Sequence, residues 1–423
     1  MYYRPVRPPP LPAPDAWRPS RPLTAAQLAT WFAALFSLLM LSNSWAAPLT
    51  GYNVTAEDSA LLRNAYFPVY AVLLGVMVTH PGPLARLMVK EAVLMGILAL
   101  ALASAMWSID PAATFRRSLA LGFTTFAGLV VAARWSWRAA AELVATVFAI
   151  DGCLSLILGA AVPSMGRMQE LFPGAWRGVW LEKNALGGLM AIGVLVQVAA
   201  AIYAPQRRLL WIAMAVISAA LVILSQSKTS LLSLLLGSAV LGACVLARRG
   251  PAAAVLALWI SVSSAVVASA IFLLAPDLVL DSLGKDATLT GRTTLWKAAW
   301  RQFETRPLLG FGYGVLWDKP EGWGPAAWIA HDAKFKAGHA HNGWLETVLG
   351  LGFVGLGFWI VYFLQTLGRA IREFFVSDGS YLALPLIAIF LLRSFTEASI
   401  LDYHDITWVL FVLVSAKMAF NRP

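Results

Sequence analysis

Apolar stretches of about 17–25 residues, long enough to cross a bilayer as helices, recur twelve times along the chain. They lie at 27–47, 63–79, 91–107, 117–133, 140–162, 182–204, 209–225, 229–247, 252–275, 342–366, 380–396 and 405–420. Two polar stretches stand apart. The N-terminal MYYRPVRPPPLPAPDAWRPSRP is rich in Pro and Arg and reads as a solvated, polyproline-like tail over 1–26, with no signal-peptide pattern before the first span. The second, about 276–341, separates the ninth and tenth spans. Within it Leu295, Ala298, Ala299 and Phe303 form one helical stripe flanked by Trp296 and Trp300, with Lys297, Arg301 and Glu304 facing elsewhere. That pattern predicts a short helix lying on the membrane surface and ended by Pro307. LLGFGYG then reads as a tight turn returning to the bilayer, and the Gly/Pro/Trp-rich WDKPEGWGPAAW as a cover over a groove. Trp317, Trp323 and Trp328 in this part suit either sugar stacking or interfacial anchoring.

Composition agrees with an all-α polytopic membrane body. Of 423 residues 59% are apolar and 13% charged, against about a quarter charged in soluble domains, and the mean hydropathy is +0.70. Disorder, coiled coil and collagen are excluded. Cys153 and Cys244 both sit in apolar runs, so neither a disulfide framework nor a cysteine metal site is expected.

The net charge of +10 matters through its placement. Sixteen cations fall in one set of alternate segments: the N-terminal tail, then Arg86 and Lys90, Arg134 and Arg138, Arg207 and Arg208, Arg248 and Arg249, Arg369 and Arg372, and Lys417 and Arg422. This regular pairing predicts that both termini are cytoplasmic. The other sixteen face outward. Eight, including Lys285, Arg292 and Lys319, lie in the long segment, which translocates largely regardless of charge. Eight more (Arg63, Arg116, Arg117, Arg167, Arg177, Lys183, Lys228 and Arg393) sit near outer helix ends, with few carboxylates between them, and read as an anion site. Asp151 is the one carboxylate deep in a span and reads as a helix-packing residue.

HAHNGWLE closes the long segment. His339 and His341 stand where the tenth span begins, and Asn342 and Glu346 share a helical face. A histidine at neutral pH is able to take a proton. No DxD-type carboxylate pair stands in the outer loops to hold a metal; Asp277 and Asp281 lie among apolar residues.

GRTTLW followed by RPLLGFGYG, and HNGWLETVLGLGFVGL after it, resemble the signature segment of the O-antigen ligase, Wzy polymerase and ExoQ-type superfamily. MWSIDP, LEKNALG, SQSKTS and LLRSFTEASILD fit in the expected order, and the resemblance is most specific from 291 to 356. It implies an all-helical membrane glycosyltransferase of about twelve spans in the bacterial inner membrane, with one large periplasmic loop between helices 9 and 10 and the active site on the periplasmic face. The chain then divides into the tail 1–26, helices 1–9 over 27–275, the loop 276–341 and helices 10–12 over 342–423. Carried over by position, His341 matches the catalytic base and Arg292 a contact to the donor diphosphate. Lys228 stands where the family usually has Arg, which keeps the charge and loses the fork. Lys183 and Asn184 match, with Glu182 where His often precedes them. Arg393 is a further candidate donor contact, Glu397 or Asp402 would orient the histidine, and Asn342, Glu346 and Glu397 are supporting residues.

The implied donor is an undecaprenyl-diphosphate-linked oligosaccharide and the acceptor a glycan or lipid A-core. The bilayer is the solvent, and a flippase and a chain-length regulator of the same pathway are candidate partners. No cofactor, metal or nucleic acid is expected. Polymerisation of repeat units by inverting transfer fits the wording of the motifs best, ahead of ligation to lipid A-core. A twelve-span secondary transporter is the alternative from another class, disfavoured because the two halves show no similarity.

Overall fold

A computed structural model describes residues 24–53, 60–79, 81–170, 172–274, 292–318, 322–376 and 379–420. The tail with its four arginines, Lys285, Lys319, Arg422 and the Asp277 and Asp281 positions lie outside the described residues. Among those described the chain is helical, with no strand beyond an isolated bridge between Arg167 and Trp176. In chain order the helices are α1 (Ala25–Leu41), α2 (Ala46–Leu49), α3 (Ala60–Asn64), α4 (Phe67–Thr79), α5 (Pro81–Lys90), α6 (Ala92–Ala103), α7 (Pro111–Arg134), α8 (Trp137–Ala161) and α9 (Pro163–Gly166). They continue as α10 (Lys183–Tyr203), α11 (Arg208–Leu224), α12 (Lys228–Ala247), α13 (Pro251–Leu274), α14 (Arg292–Phe303), α15 (Pro325–Ala333), α16 (Gly343–Val376), α17 (Ser380–Ser394) and α18 (Ile406–Phe420).

Seven helical segments are long and apolar enough to cross a bilayer: Ala60–Val78, Pro111–Arg134, Trp137–Ala161, Lys183–Tyr203, Pro205–Leu224, Lys228–Ala247 and Gly343–Phe375. The other five expected spans fall on four shorter apolar helices and one bent pair, α5 with α6, which turns by 88°. The molecule is thus a multi-pass membrane protein by its helices. α18 is enclosed on all sides, with every residue from Ile406 to Ala419 buried. α10, also largely buried, packs against α8, α11, α12 and α17 and forms the centre of the bundle.

Glu91 stands at the α5–α6 bend. It is buried and ion-paired with Arg369 of α16, whose guanidinium also donates to the Ser415 hydroxyl of α18 at 3.0 Å. Lys417 donates to the Trp135 and Ala132 carbonyls at the end of α7, at 2.6 and 3.2 Å. Two of the cations assigned to topology therefore also tie helix ends together. Asp151 is buried in α8, near the Ser42 and Ser44 hydroxyls.

The tenth span is not one continuous helix. α16 breaks at Gly352, whose φ of 65° and ψ of −165° are outside the helical region. The break frees backbone groups at membrane depth, where each must find a partner. LLGFGYG supplies them: Phe311 and Gly312 donate to the Leu349 and Gly350 carbonyls at 2.9 and 3.0 Å, while Phe353 and Val354 donate to the Pro307 and Leu308 carbonyls at 2.8 and 3.2 Å. The expected return of this turn to the bilayer is thus a docking onto a broken helix. The stripe of α14 differs from expectation in its partner. Leu295, Ala298, Ala299 and Phe303 are buried against Ile329 and Ala333 of α15 and Leu345, Val348 and Leu349 of α16, so they form a small protein core and do not lie on a lipid surface. Trp323 is 91% exposed, whereas Trp317 is partly buried in that core.

Gly352→Ala should be strongly destabilising, because a Cβ there would lie 2.2 Å from the Leu308 carbonyl carbon at a φ that side chains rarely adopt. Thermal unfolding of the purified protein should show a loss of several degrees relative to Gly357→Ala, where nothing lies within 4 Å of the added carbon. Equal unfolding temperatures would contradict the docking.

Candidate functional site

Two helices begin side by side at the centre of the site. α10 starts at Lys183 after Glu182, and α12 starts at Lys228 after its cap Ser227, whose hydroxyl accepts from the Ser230 N–H at 3.4 Å. The Ser227 hydroxyl also donates to the Asn184 side-chain oxygen at 2.9 Å, and Lys183 Nζ reaches the Gln226 carbonyl at 3.5 Å. Gly187 permits this approach, since a Cβ there would sit 2.5 Å from the Ser225 hydroxyl. Helix N-termini carry partial positive charge and attract anions. Lys183 and Lys228 add full charges there and repel one another, which favours an anion between them.

The last turn of α17 brings in Arg393. Its guanidinium occupies a notch on α10 at Gly188, where a Cβ would come within 1.6 Å of Nη1. Gly188 lies five residues beyond Lys183, about 7.5 Å of helix rise. Arg393 is buried, and its Nε has no hydrogen-bond partner among the described residues. Its carbonyl accepts from the Thr396 and Glu397 N–H groups at 2.9 and 2.7 Å, so the chain turns back at once. That turn aims the Thr396 carbonyl at Arg292 Nη1, 2.9 Å away on α14.

The same turn sets Glu397 beside His341. Nδ1 of His341 lies 3.5 Å from Glu397 Oε2, a long contact of the kind that tightens when substrate binds. His341 has a φ of 51°, unusual for a residue with a side chain, and its N–H donates to His339 Nδ1 at 3.1 Å. Asn342 caps α16, its side-chain oxygen accepting from the Trp344 and Leu345 N–H groups at 3.0 and 3.1 Å. Glu346 clamps the preceding loop by accepting from the Ala340 N–H at 2.5 Å and the Trp317 indole at 2.9 Å. Trp344 stacks on Phe395 and donates to the Ser394 hydroxyl at 2.9 Å, which fixes the start of α16 on the end of α17.

Electrostatics separates the groups. Burial pushes the Glu397 carboxyl up, but the His341 hydrogen bond and the Arg393 charge outweigh it and hold the group below its usual range. Burial, then His341 and Arg292, push His339 down to about 4, opposed only by Glu397, so its ring is neutral at pH 7. Beside these residues lies a cavity of about 170 Å³ lined in part by Trp317, His339, Glu346, Asp402 and Tyr403. Burial, and then the Asp405 and Glu346 carboxylates, raise Asp402 well above the carboxylate range. It faces this cavity, and Glu397 is the acid that meets His341.

His339, His341 and Glu397 offer ligand atoms within 4.8 Å of one another and form a two-histidine, one-carboxylate face that could hold a divalent cation. The charges of Arg292 and Arg393 act on this trio and oppose a cation there.

The cations expected to face outward divide. Arg117 pairs with Asp318 at 2.6 Å and donates to the Gly314 carbonyl, while Arg301 pairs with Asp332 at 3.0 Å. Arg167 donates to the Gly159 carbonyl at 2.9 Å and lies over Trp176; Arg177 donates to the Met165 carbonyl at 2.7 Å and lies over Tyr52. These guanidiniums hold loops, so the eight helix-end cations do not form one anion site. Lys183, Lys228 and Arg393 do converge through α10. Arg292 joins them through Thr396. Sequence reasoning missed the Gly188 notch and the Thr396 carbonyl, since neither residue type carries a chemical signal.

Residues 213–360 match a family model described as O-Antigen ligase. Over 259 residues the chain is 28% identical to "Exopolysaccharide production protein ExoQ" of Rhizobium meliloti (strain 1021), an alignment that covers 58% of this chain and 59% of that protein. The match begins within α11 and ends within α16, and so takes in Lys228, Arg292 and His341. Together with the motifs, these two similarities support a relationship to O-antigen ligases and ExoQ-like proteins.

Proposed function

We propose that the protein is a glycosyltransferase that polymerises exopolysaccharide or O-antigen repeat units carried on undecaprenyl diphosphate, at the periplasmic face of the bacterial inner membrane. The observation that carries this reading is the His341–Glu397 pair set beside four converging cations, Lys183, Lys228, Arg292 and Arg393. His341 takes the proton of an acceptor hydroxyl as its oxygen attacks the anomeric carbon. Glu397 stabilises the imidazolium that forms. The bond from the anomeric carbon to the diphosphate oxygen breaks, and the cations and the two helix N-termini receive the charge on the leaving group. Attack opposite the leaving group inverts the anomeric centre. Fixed cations perform the task of a metal, and the mechanism is metal-independent. The paired cations at the opposite helix ends support cytoplasmic termini.

A second reading, transfer of a finished glycan to lipid A-core, is favoured by the description of the matching family model. The relative's name favours polymerisation. Deletion in the native host separates the two: single lipid-linked repeat units should accumulate if the protein polymerises, and long lipid-linked chains if it ligates. Unchanged pools would overturn both.

His341→Ala should lower transfer by about 10²–10⁴-fold, the range of a general base, without lowering membrane abundance. Transfer should also persist in EDTA. Near-normal rates in the variant would remove the base assignment, and loss of activity on chelation would remove the metal-independent mechanism. Arg292→Lys should weaken use of the lipid-linked donor about ten- to hundredfold, while Lys297→Ala, exposed on the same helix, should leave it unchanged. Equal effects of the two would exclude the diphosphate contact.

A further inference from the structure

The far halves of α10 and α12 enclose an apolar groove of about 430 Å³, away from the catalytic residues. Val194, Val198 and Ile202 of α10 and Leu241 and Gly242 of α12 are among its lining residues, and Arg249 is the one charged residue in the lining. We infer that this groove binds one acyl chain of an anionic phospholipid, with the lipid phosphate held by Arg249.

Length fits this occupant. Val194 to Ile202 is about 12 Å of helix rise, close to the ~15 Å of hydrocarbon in one leaflet. The hollow is open space: nothing lies within 4 Å of a Cβ built at Gly242. In a bilayer such a hollow fills with hydrocarbon. Charge selects the headgroup, because basic sites between membrane helices take anionic lipids. Arg249 is exposed and its guanidinium has no partner among the described residues, while the adjacent Arg248 lies over the Tyr381 ring. A second hollow at this face also sets apolar residues, Val76, Leu84 and Val130, beside a cation, Arg134 at the end of α7, which lies over the Trp135 ring.

The site differs in place from the diphosphate site. Val194 lies eleven residues beyond Lys183 on α10, about 16 Å of rise, so the groove belongs to the opposite leaflet. A lipid seated there would brace the far ends of the two helices whose near ends carry Lys183 and Lys228.

The test uses the full-length protein in nanodiscs of phosphatidylcholine alone or mixed with phosphatidylglycerol. Phosphatidylglycerol should raise the wild-type Tm by several degrees, and native mass spectrometry should show it retained on the chain. Arg249→Gln should weaken retention about fivefold or more and remove the gain in Tm. Gly242→Leu should do the same by filling the hollow, and Arg208→Gln, exposed at the same face, should keep the gain. Four results would overturn the inference: equal Tm in the two disc types; an unaltered gain in Arg249→Gln; an equal loss in Arg208→Gln; or a lower oligomeric mass in Gly242→Leu than in the wild type. A fifth is retention of added undecaprenyl diphosphate in place of phosphatidylglycerol, which would assign the groove to the donor's tail.

Discussion

A peptide group inside a bilayer has no water to bond, and this governs the half of the molecule that holds the candidate site. Breaking α16 at Gly352 strands backbone donors and acceptors together, and the 307–312 backbone answers both sets. The head of α16, with Asn342 and His341, takes its position from that exchange. The docked loop is held on its other side by the α6–α7 connection, through Ile109 to the Phe311 carbonyl and Tyr313 to Ser104. The short first segment of α16, Gly343 to Leu351, then presents Asn342 and His341 at its head. A continuous helix would have nowhere to seat the returning chain.

Charge is handled by the same economy of backbone. The site gathers its positive potential from two helix starts, two lysines and two arginines, and it places one carboxylate, Glu397, where it meets His341. Arg393 and Glu397 are joined by a single hydrogen-bonded turn, so a buried cation and the carboxylate that meets His341 come from one short piece of chain. At the opposite face Arg369 and Lys417 are satisfied by Glu91, Ser415 and carbonyls at helix ends, which lets buried cations stand in an apolar bundle.

Much of this was legible in the sequence because the bilayer imposes a length on each apolar run. The twelve stretches fall on helical elements, and the motif residues Lys183, Lys228, Arg292, Arg393, His341 and Glu397 fall around one site. What was not legible depends on contacts between distant segments. The stripe of α14 is amphipathic whether its apolar face meets lipid or α15, and the pattern alone cannot distinguish the two. Arg117, Arg167 and Arg177 look like anion ligands until their partners, Asp318 and the Gly159 and Met165 carbonyls, are seen. The Gly352 break hides in a run of apolar residues and glycines that reads as one span.

Gly188 and Arg393 occupy the same volume, one by lacking a side chain and the other by filling the space. They are therefore a single unit of inheritance, although they stand on different helices far apart in the chain. A related sequence that gains a side chain at the glycine must lose or re-aim the arginine, and one that replaces the arginine frees the glycine to drift. The joint presence of the two in a distant relative thus testifies to the same packing of α10 against α17, even where overall identity is too low to align the helices between them.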